Sequence, residues 1–517
     1  MNSRTSLWLD THRVSAPVSG PLPTDAQYDT VVAGAGLTGL TTAVLLARAG
    51  QRVAVLEARS VGAAATGNTT AKLSLLQGTV LSEISRHQSE EVLRSYVAGN
   101  REGQAWLLRY LEDYGIPVER RTAYTYATSK KGVSSLRAEL EACRTAGLPA
   151  AWTEETELPF PVAGAIALEE QAQFHPMQVL DALATELVER GGALHEGVRV
   201  TGAGRSSPLT VRTSAGTVRA TRLVLATGVP VLDRGGHFAQ LSPQRSYAQS
   251  YRVPGPIPQG MYLSADSPSR SLRTADDDGG QLLLVGGNDH VVGRTDSERR
   301  AVEDLEEWTQ RHFPGARRTH AWSAQDYRPA HRVPFVGVLP RGGGNILLAT
   351  GYQKWGMTNA VSAALQLSTH ILGGRLDWAA RLRRVPTTPA DLLTGLKDNA
   401  AVGAHLVGDW ARAGLRPAPE QAPAEGQGVV GRRGLRPVAT STVDGVTCAV
   451  SGICPHLGGV LAWNDAERTW DCPLHGSRFA ADGRLLEGPA VADLDPAGLS
   501  RPAAPRDRPA PPATPQR

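Results

Sequence analysis

The chain has 517 residues, 54 basic against 50 acidic side chains and 41% hydrophobic residues. That length suits roughly two or three domains, and with charge nearly balanced nothing points to a polyanionic partner such as nucleic acid. The N-terminus, MNSRTSLWLDTH, has no apolar run after its charges and reads as no secretory signal, and the longest apolar stretches, such as residues 43–47, fall far short of a bilayer span.

Residues 1–27 are polar and Pro-rich and read as an N-terminal extension running over the surface. Order begins at Tyr28. The segment DTVVAGAGLTGLTTAVLLARAGQRVAVLEA then predicts strand, Gly-rich turn, helix, a stop at Gly50 and a second strand. Strands and helices alternate to about residue 230, where TRLVLATG ends another strand. From 240 to 300 the pattern turns β-like, with LLLVGG as a buried strand bounded by glycine. GNILLATG predicts one more strand, followed by the helix AVSAALQLSTHILGG. Leu392, Leu396, Leu406 and Trp410 recur at helical spacing and predict an amphipathic connecting helix over 389–413, which would dock the C-terminal module. PAPEQAPAEGQG (417–428) reads as a linker, so the module after it is expected to fold independently. Residues 424–500 predict a compact all-β module, and 501–517 a disordered tail.

Gly34, Gly36 and Gly39 form G-x-G-x-x-G between a strand and a helix. The first glycine permits the tight turn, the second lets backbone approach a pyrophosphate, and the third lets the helix pack on the strand. The helix N-terminus offers free N–H groups to phosphates. Glu57 ends the next strand, 18 residues after Gly39, where an acidic side chain binds a ribose hydroxyl. Three glycines alone would fit an ordinary tight turn; the strand–turn–helix–strand context with Glu57 predicts a dinucleotide site.

No second G-x-G-x-x-G occurs, which disfavours direct use of NAD(P)H beside a flavin. VVAGAGLTGL, VLEARSVGAAATGNTTAK, the HP of FHPMQVLDAL at Pro176, LVLATG and TGYQKWGMTNA resemble the FAD-dependent amine and D-amino-acid oxidase superfamily, which includes glycine oxidase. The resemblance implies an α/β, Rossmann-like FAD domain over 28–375, built from discontinuous pieces, with an inserted β-rich substrate domain at roughly 105–170 and 236–320. It assigns FAD contacts to Gly34, Gly36, Gly39 and Glu57, to the loop Thr66, Gly67, Thr69 and Thr70, to Val200 at the adenine, to Gly228, and to the late turn of Gly351, Trp355, Gly356 and Met357. Arg273 and Arg328 are the implied substrate-orienting residues, since a guanidinium grips a carboxylate with two parallel hydrogen bonds. His175 is a further pocket candidate, and Lys72 one for the flavin N5 region.

Near the C-terminus CPHLGG and CPLHGSRF give C-x-H-x15-C-x-x-H, from Cys454, His456, Cys472 and His475. Two thiolates for one iron and two imidazoles for the other are what a Rieske 2Fe–2S cluster needs. A Cys2His2 zinc site would use the same side chains; Gly458, Gly476, Ser477 and the GPA loop 488–490 match the Rieske pattern as well and favour the cluster. The resemblance gives Ser477 a hydrogen bond to a cluster sulfide and makes Pro489 a cover. Many Rieske domains tie their two loops with a disulfide; the corresponding residues here are Gly459 and Leu474. The remaining cysteines, Cys143 and Cys448, read as packed structure. With no disulfide framework a reducing, cytoplasmic setting is expected.

SLWLDT, TGNTTAK, WSAQDYRP, YQKWGMT and WDCPLHGSRF together are similar to a bacterial family of FAD-dependent oxidoreductases with a C-terminal Rieske domain. The resemblance implies an enzyme that oxidises a C–H bond beside an amine or amino-acid nitrogen, with hydride passing to the flavin and single electrons then passing through the cluster to an external acceptor. Two alternatives stay open: electron input through the cluster to a flavin that reduces substrate, and a non-enzymatic electron-transfer or redox-sensing protein.

Overall fold

The computed structural model describes residues 5–385, 417, 419, 421–434 and 436–497. The expected helix over 389–413 and the tail over 501–517 lie outside the described residues. Val31 and Val32 of strand Gln27–Ala33 and all of Val53–Leu56 are buried, as strands covered on both faces require. These strands pair in parallel with each other, and Gln27–Ala33 pairs in parallel with Gly216–Leu225. The full order in this eight-stranded sheet is Phe335–Val338, Ile346–Thr350, Gly216–Leu225, Gln27–Ala33, Val53–Leu56 and Ala193–His195, with Leu209–Thr213 and Val200–Ala203 attached at the side. Helix Leu37–Arg48 buries Leu37, Leu40, Val44 and Leu46 against it.

A nine-stranded sheet forms the second body. Its order is Arg317–Pro329, Leu241–Arg252, Gly280–Val291, Arg270–Asp277, Met261–Ser264, Val118–Ala127, Gly164–Phe174 and Lys72–Leu73, with Ala151–Thr153 beside Gly164–Phe174. The C-terminal module has two small sheets. Gly428–Arg433, Arg436–Val443 and Val446–Ser451 make one; Ala462–Asn464, Thr469–Asp471, Arg478–Ala480 and Leu485–Glu487 make the other. Trp470 and Phe479, both fully buried, centre its core. No helix among the described residues is long and apolar enough to cross a membrane.

One expectation meets a different arrangement. The N-terminal extension does not simply run over the surface: Leu7 and Trp8 of helix Leu7–Thr11 are buried, and Trp8 Nε1 donates to Thr69 O at 2.6 Å. Ser6 caps the helix and its hydroxyl also donates to Gly67 O. A short amphipathic turn has thus been placed in the core, where its indole finds a carbonyl partner. The C-terminal module packs on the nine-stranded sheet through a buried ion pair. Arg245 meets Asp471 at 3.1 Å, each side chain 1% exposed. A pair that dry needs further hydrogen bonds to offset its desolvation. Arg245 supplies them by donating to Ser323 Oγ at 2.8 Å and Gln325 Oε1 at 2.9 Å. Nearby, Ser297 Oγ and Arg299 N hold the Asp465 carboxylate at 2.7 and 2.8 Å.

Candidate functional site

One large cavity opens at the carboxyl ends of the central strands, where an open α/β sheet binds its ligand. Gly34 follows Gln27–Ala33 into it, Glu57 follows Val53–Leu56, Gly228 follows Gly216–Leu225, and Gly351 follows Ile346–Thr350. Gly34 has φ +105°, and a Cβ there would lie 2.5 Å from Ala226 O; a Cβ on Gly39 would lie 1.9 Å from Gly34 O. The motif's glycines are therefore demanded by backbone packing as well as by a ligand.

The cavity suits FAD on two counts. Helices Leu37–Arg48 and Gly356–Ile371 both aim their N-termini at it, and neither has an acidic residue in its first turn or a cap-residue hydrogen bond. Their positive dipole ends face the cavity, which suits phosphates and an electron-rich ring, and Leu37 N also donates to Thr66 Oγ1 at 3.2 Å. The Glu57 carboxylate is half-buried and fixed by Ala35 N at 2.8 Å and Arg59 N at 2.9 Å. Burial pushes its pKa up, and those two N–H groups with the nearby Arg59 and Arg199 charges oppose the rise.

Of the expected FAD contacts, Gly34, Gly36, Glu57, Thr66, Thr69, Thr70, Val200, Gly228, Gly351, Trp355, Gly356 and Met357 line this cavity. Gly39 and Gly67 sit behind its wall, and a Cβ on Gly67 would meet Gly62 O at 2.3 Å. Lys72 also lines it, donating to Tyr262 O at 2.7 Å and Ser271 Oγ at 2.5 Å, with its pKa pushed down to about 7 by burial and by Arg273.

The two arginines are placed elsewhere. Arg273 is 2% exposed and donates to the carbonyls of Thr274, Thr70 and Ala71 at 2.6, 2.8 and 2.9 Å, beneath the Trp8 ring at 5.2 Å. Its guanidinium is committed to holding the cofactor loop. Arg328 turns away from the cavity and pairs with Glu83 at 2.8 Å. In each case the strand reaches the right region, but side-chain direction sends the charge to another face. His175 packs edge-on to Trp8 and bonds Thr11 Oγ1 at 3.0 Å, so it belongs to the N-terminal clasp.

The cavity also contains residues without a local sequence signal. Arg59 and Arg199 lie toward Glu57; Ser246, Ser269, Asp326 and Lys354 lie on the side of the nine-stranded sheet. Asp326 accepts from Lys354 N, and burial pushes its pKa up to about 6. Lys354 Nζ reaches Asp289 at 3.1 Å.

In the C-terminal module Cys454, His456, Cys472 and His475 come together on two facing loops. Cys454 and Cys472 are buried, and the histidine rings stand 5.1 Å apart, edge to face. Nδ1 of both histidines is buried without a hydrogen-bond partner. Burial and the neighbouring His456 push the His475 pKa down to about 4, which keeps its imidazole neutral, as an iron ligand must be. Orphaned ring nitrogens beside two thiols are the donor set of a Rieske cluster. Ser477 is fully buried and accepts from Ala490 N through its hydroxyl at 3.0 Å. A Cβ on Gly459 would lie 2.7 Å from Leu474 Cγ, so contact packing stands where other Rieske domains have a disulfide. Cys143 is buried in its helix and Cys448 half-buried in its strand.

Both histidines face the larger body of the protein. His456 Nε2 bonds Asp233 Oδ2 at 2.6 Å, and the Phe238 ring stands edge-on to His456 at 5.8 Å and His475 at 5.1 Å. Gln325, which lines the cavity, donates through Nε2 to Gly476 O at 2.7 Å, one residue past His475.

Comparison with known proteins matches residues 29–369 to the family described as FAD dependent oxidoreductase, and residues 419–497 to the Rieske [2Fe-2S] domain. A protein of Bacillus subtilis (strain 168) whose name describes it as a Rieske 2Fe-2S iron-sulfur protein, YhfW, is 31% identical over 479 residues, 92% of this chain and 94% of its own. Glycine oxidase from Geobacillus kaustophilus superposes with TM-score 0.59 at 21% identity, covering 71% of this chain and 98% of that one. L-proline dehydrogenase from P. horikoshii superposes with TM-score 0.55 at 17% identity, covering 69% and 96%. At such identities the two structures speak for the fold.

Proposed function

The chain belongs to the FAD dependent oxidoreductase family and carries a C-terminal Rieske [2Fe-2S] domain, and on that premise we propose that it oxidises an amine or amino-acid-like substrate and relays the electrons through the cluster to an external acceptor. Bound FAD supplies a two-electron acceptor for the C–H bond next to nitrogen, and the cluster a one-electron centre. One observation carries the relay: both cluster histidines are turned inward, onto Asp233 and Phe238. In support, Gln325 touches the cavity on one side and the His475 loop on the other.

The cavity's own side chains favour an amine. Asp326 is a half-buried carboxylate lining it. Ionised, Asp326 would hold a substrate ammonium and take its proton at Oδ, leaving the neutral amine whose C–H bond can be oxidised. Ser246, Ser269 and Ser271 add hydroxyls on the same side. The names of the solved structures, glycine oxidase and L-proline dehydrogenase, point to the same class.

The test is anaerobic mixing of the full-length protein with a panel of amino acids and amines, reading flavin absorbance and the paramagnetic resonance of the reduced cluster together. Bleaching by an amine accompanied by the reduced-cluster signal is the expected result. A bleached flavin beside an oxidised cluster would remove the relay. A flavin that no amine bleaches would favour electron input or a carrier role.

A further inference from the structure

Leu485–Glu487 is the last strand of the Rieske module, yet Leu486, Glu487 and Gly488 line the FAD cavity. The contact is anchored at both ends. Arg199 Nη2 donates to Leu485 O at 3.0 Å across 286 residues of chain. Arg199 precedes Val200, itself in the cavity wall, and its charge interacts with that of Glu57. At the other end, a Cβ on Gly488 would stand 3.4 Å from Val231 Cγ1, just past the Gly228 turn. The segment therefore follows the cavity from the side of Glu57 to the turn after Gly216–Leu225.

Two residues further on, the same segment reaches the cluster loops. Ala490 N donates to Ser477 Oγ at 3.0 Å, and Ser477 O accepts from Cys472 N at 2.7 Å. The Ser477 hydroxyl also interacts with the Cys454 thiol. Glu487 brings a carboxylate to the wall, but Arg478 pairs with it at 3.5 Å from within the module, so its charge is partly met before any anionic cofactor enters.

We propose that residues 485–490 form a shared wall: they complete the FAD site from the Rieske side, and FAD and the cluster therefore bind cooperatively. The reasoning is mechanical. The cluster cross-links the Cys454 and Cys472 loops; the ordered second loop holds Ala490 through Ser477; and Ala490 sets the position of Gly488, Glu487 and Leu486 against the cavity. Loss of the cluster releases the wall and opens the cavity to water. By linkage, loss of FAD must weaken cluster retention to the same degree in free energy. The coupling is independent of which substrate is oxidised and of the direction of electron flow.

The test uses the full-length protein stripped of FAD and titrated with FAD, following flavin fluorescence. Leu486→Ala alters the wall without touching a cluster ligand. It should raise the FAD dissociation constant at least about fivefold, the lower end of ordinary coupling, while iron content and the reduced-cluster resonance stay as in the wild type. Cys472→Ser, which removes the cluster, should weaken FAD at least as much, and stripping FAD from the wild type should speed iron loss to a chelator. FAD binding within about twofold of wild type in both variants would overturn the shared wall, since coupling that weak falls below the usual range. Should Cys472→Ser fail to fold, Leu486→Ala decides alone.

Discussion

The cluster site and the FAD cavity of this protein use the chain in opposite ways. The four candidate cluster ligands lie between Cys454 and His475, on one loop that joins the two small sheets and a second loop within the four-stranded one. The cavity draws its lining from Ala33 to Gly488, with pieces from both large sheets and the Rieske module. A cluster makes a few strong, directional bonds, so four donors on two short loops suffice. A long cofactor is held by many weak contacts spread over an extended surface, so its site needs distant segments and depends on how they pack.

The largest effect expected from this contrast is at the cluster. His475→Ala or Cys472→Ser removes one of four ligands and should abolish cluster binding outright, seen as loss of iron, labile sulfide and the reduced-cluster resonance. A retained cluster would show that an unrecognised side chain completes the set. On the FAD side the effect of one residue should be graded, except where backbone meets backbone. Gly39→Ala puts a Cβ 1.9 Å from Gly34 O. Overpacking of that kind costs about 1–3 kcal/mol or more, so flavin content and melting temperature should both fall.

Arg273→Leu sharpens the comparison, because Arg273 holds the Thr70 and Ala71 carbonyls from behind the cavity wall. Its removal leaves the Thr70 and Ala71 carbonyls without their charged donor, at about 1–3 kcal/mol for each buried group left unsatisfied. Thermal stability and FAD retention should drop, while the preference between carboxylate-bearing and carboxylate-free amines should not change. A selective loss of carboxylate-bearing substrates would return Arg273 to the substrate.

Asp233→Asn tests how far the cluster depends on its surroundings. With a cluster bound, a carboxylate accepting from the His456 ring N–H would raise the imidazole's donor strength and favour the oxidised state. The neutral amide does so less, by about 1 kcal/mol, which for one electron is an upward shift of roughly 40 mV. A midpoint titration by paramagnetic resonance would read it; an unchanged potential would show the contact to be positional only.

The last effect concerns pH. Glu298, buried between the nine-stranded sheet and the Rieske module, has its pKa pushed up to about 8 by burial, then by the negative charges of Asp471 and Asp465, despite Arg245 nearby. An unfolded glutamate titrates near ~4.3. Between those values the folded protein holds a proton that the unfolded chain has released, so stability should decline as pH climbs from about 4.3 to 8. Glu298→Gln should flatten that slope in thermal melts across the same range.

Sequence alone determined the parts whose chemistry is local. C-x-H-x15-C-x-x-H singles out the candidate cluster ligands because a Rieske cluster needs those donors on two loops, and the glycines with Glu57 single out the candidate nucleotide end of the cavity because strand, turn and helix are consecutive. Period and composition separated an α/β body from an all-β module for the same reason. Tertiary structure decided everything set by side-chain direction or by contact between distant segments. It turned Arg273 onto backbone carbonyls and Arg328 onto Glu83, and it buried Trp8 against the cofactor loop although the extension reads as polar. It also joined Arg245 to Asp471 and laid Leu486 along the FAD cavity. None of these has a short-range pattern, because each depends on which faces of separate sheets meet, and that is settled by packing over the whole chain rather than by neighbours in sequence.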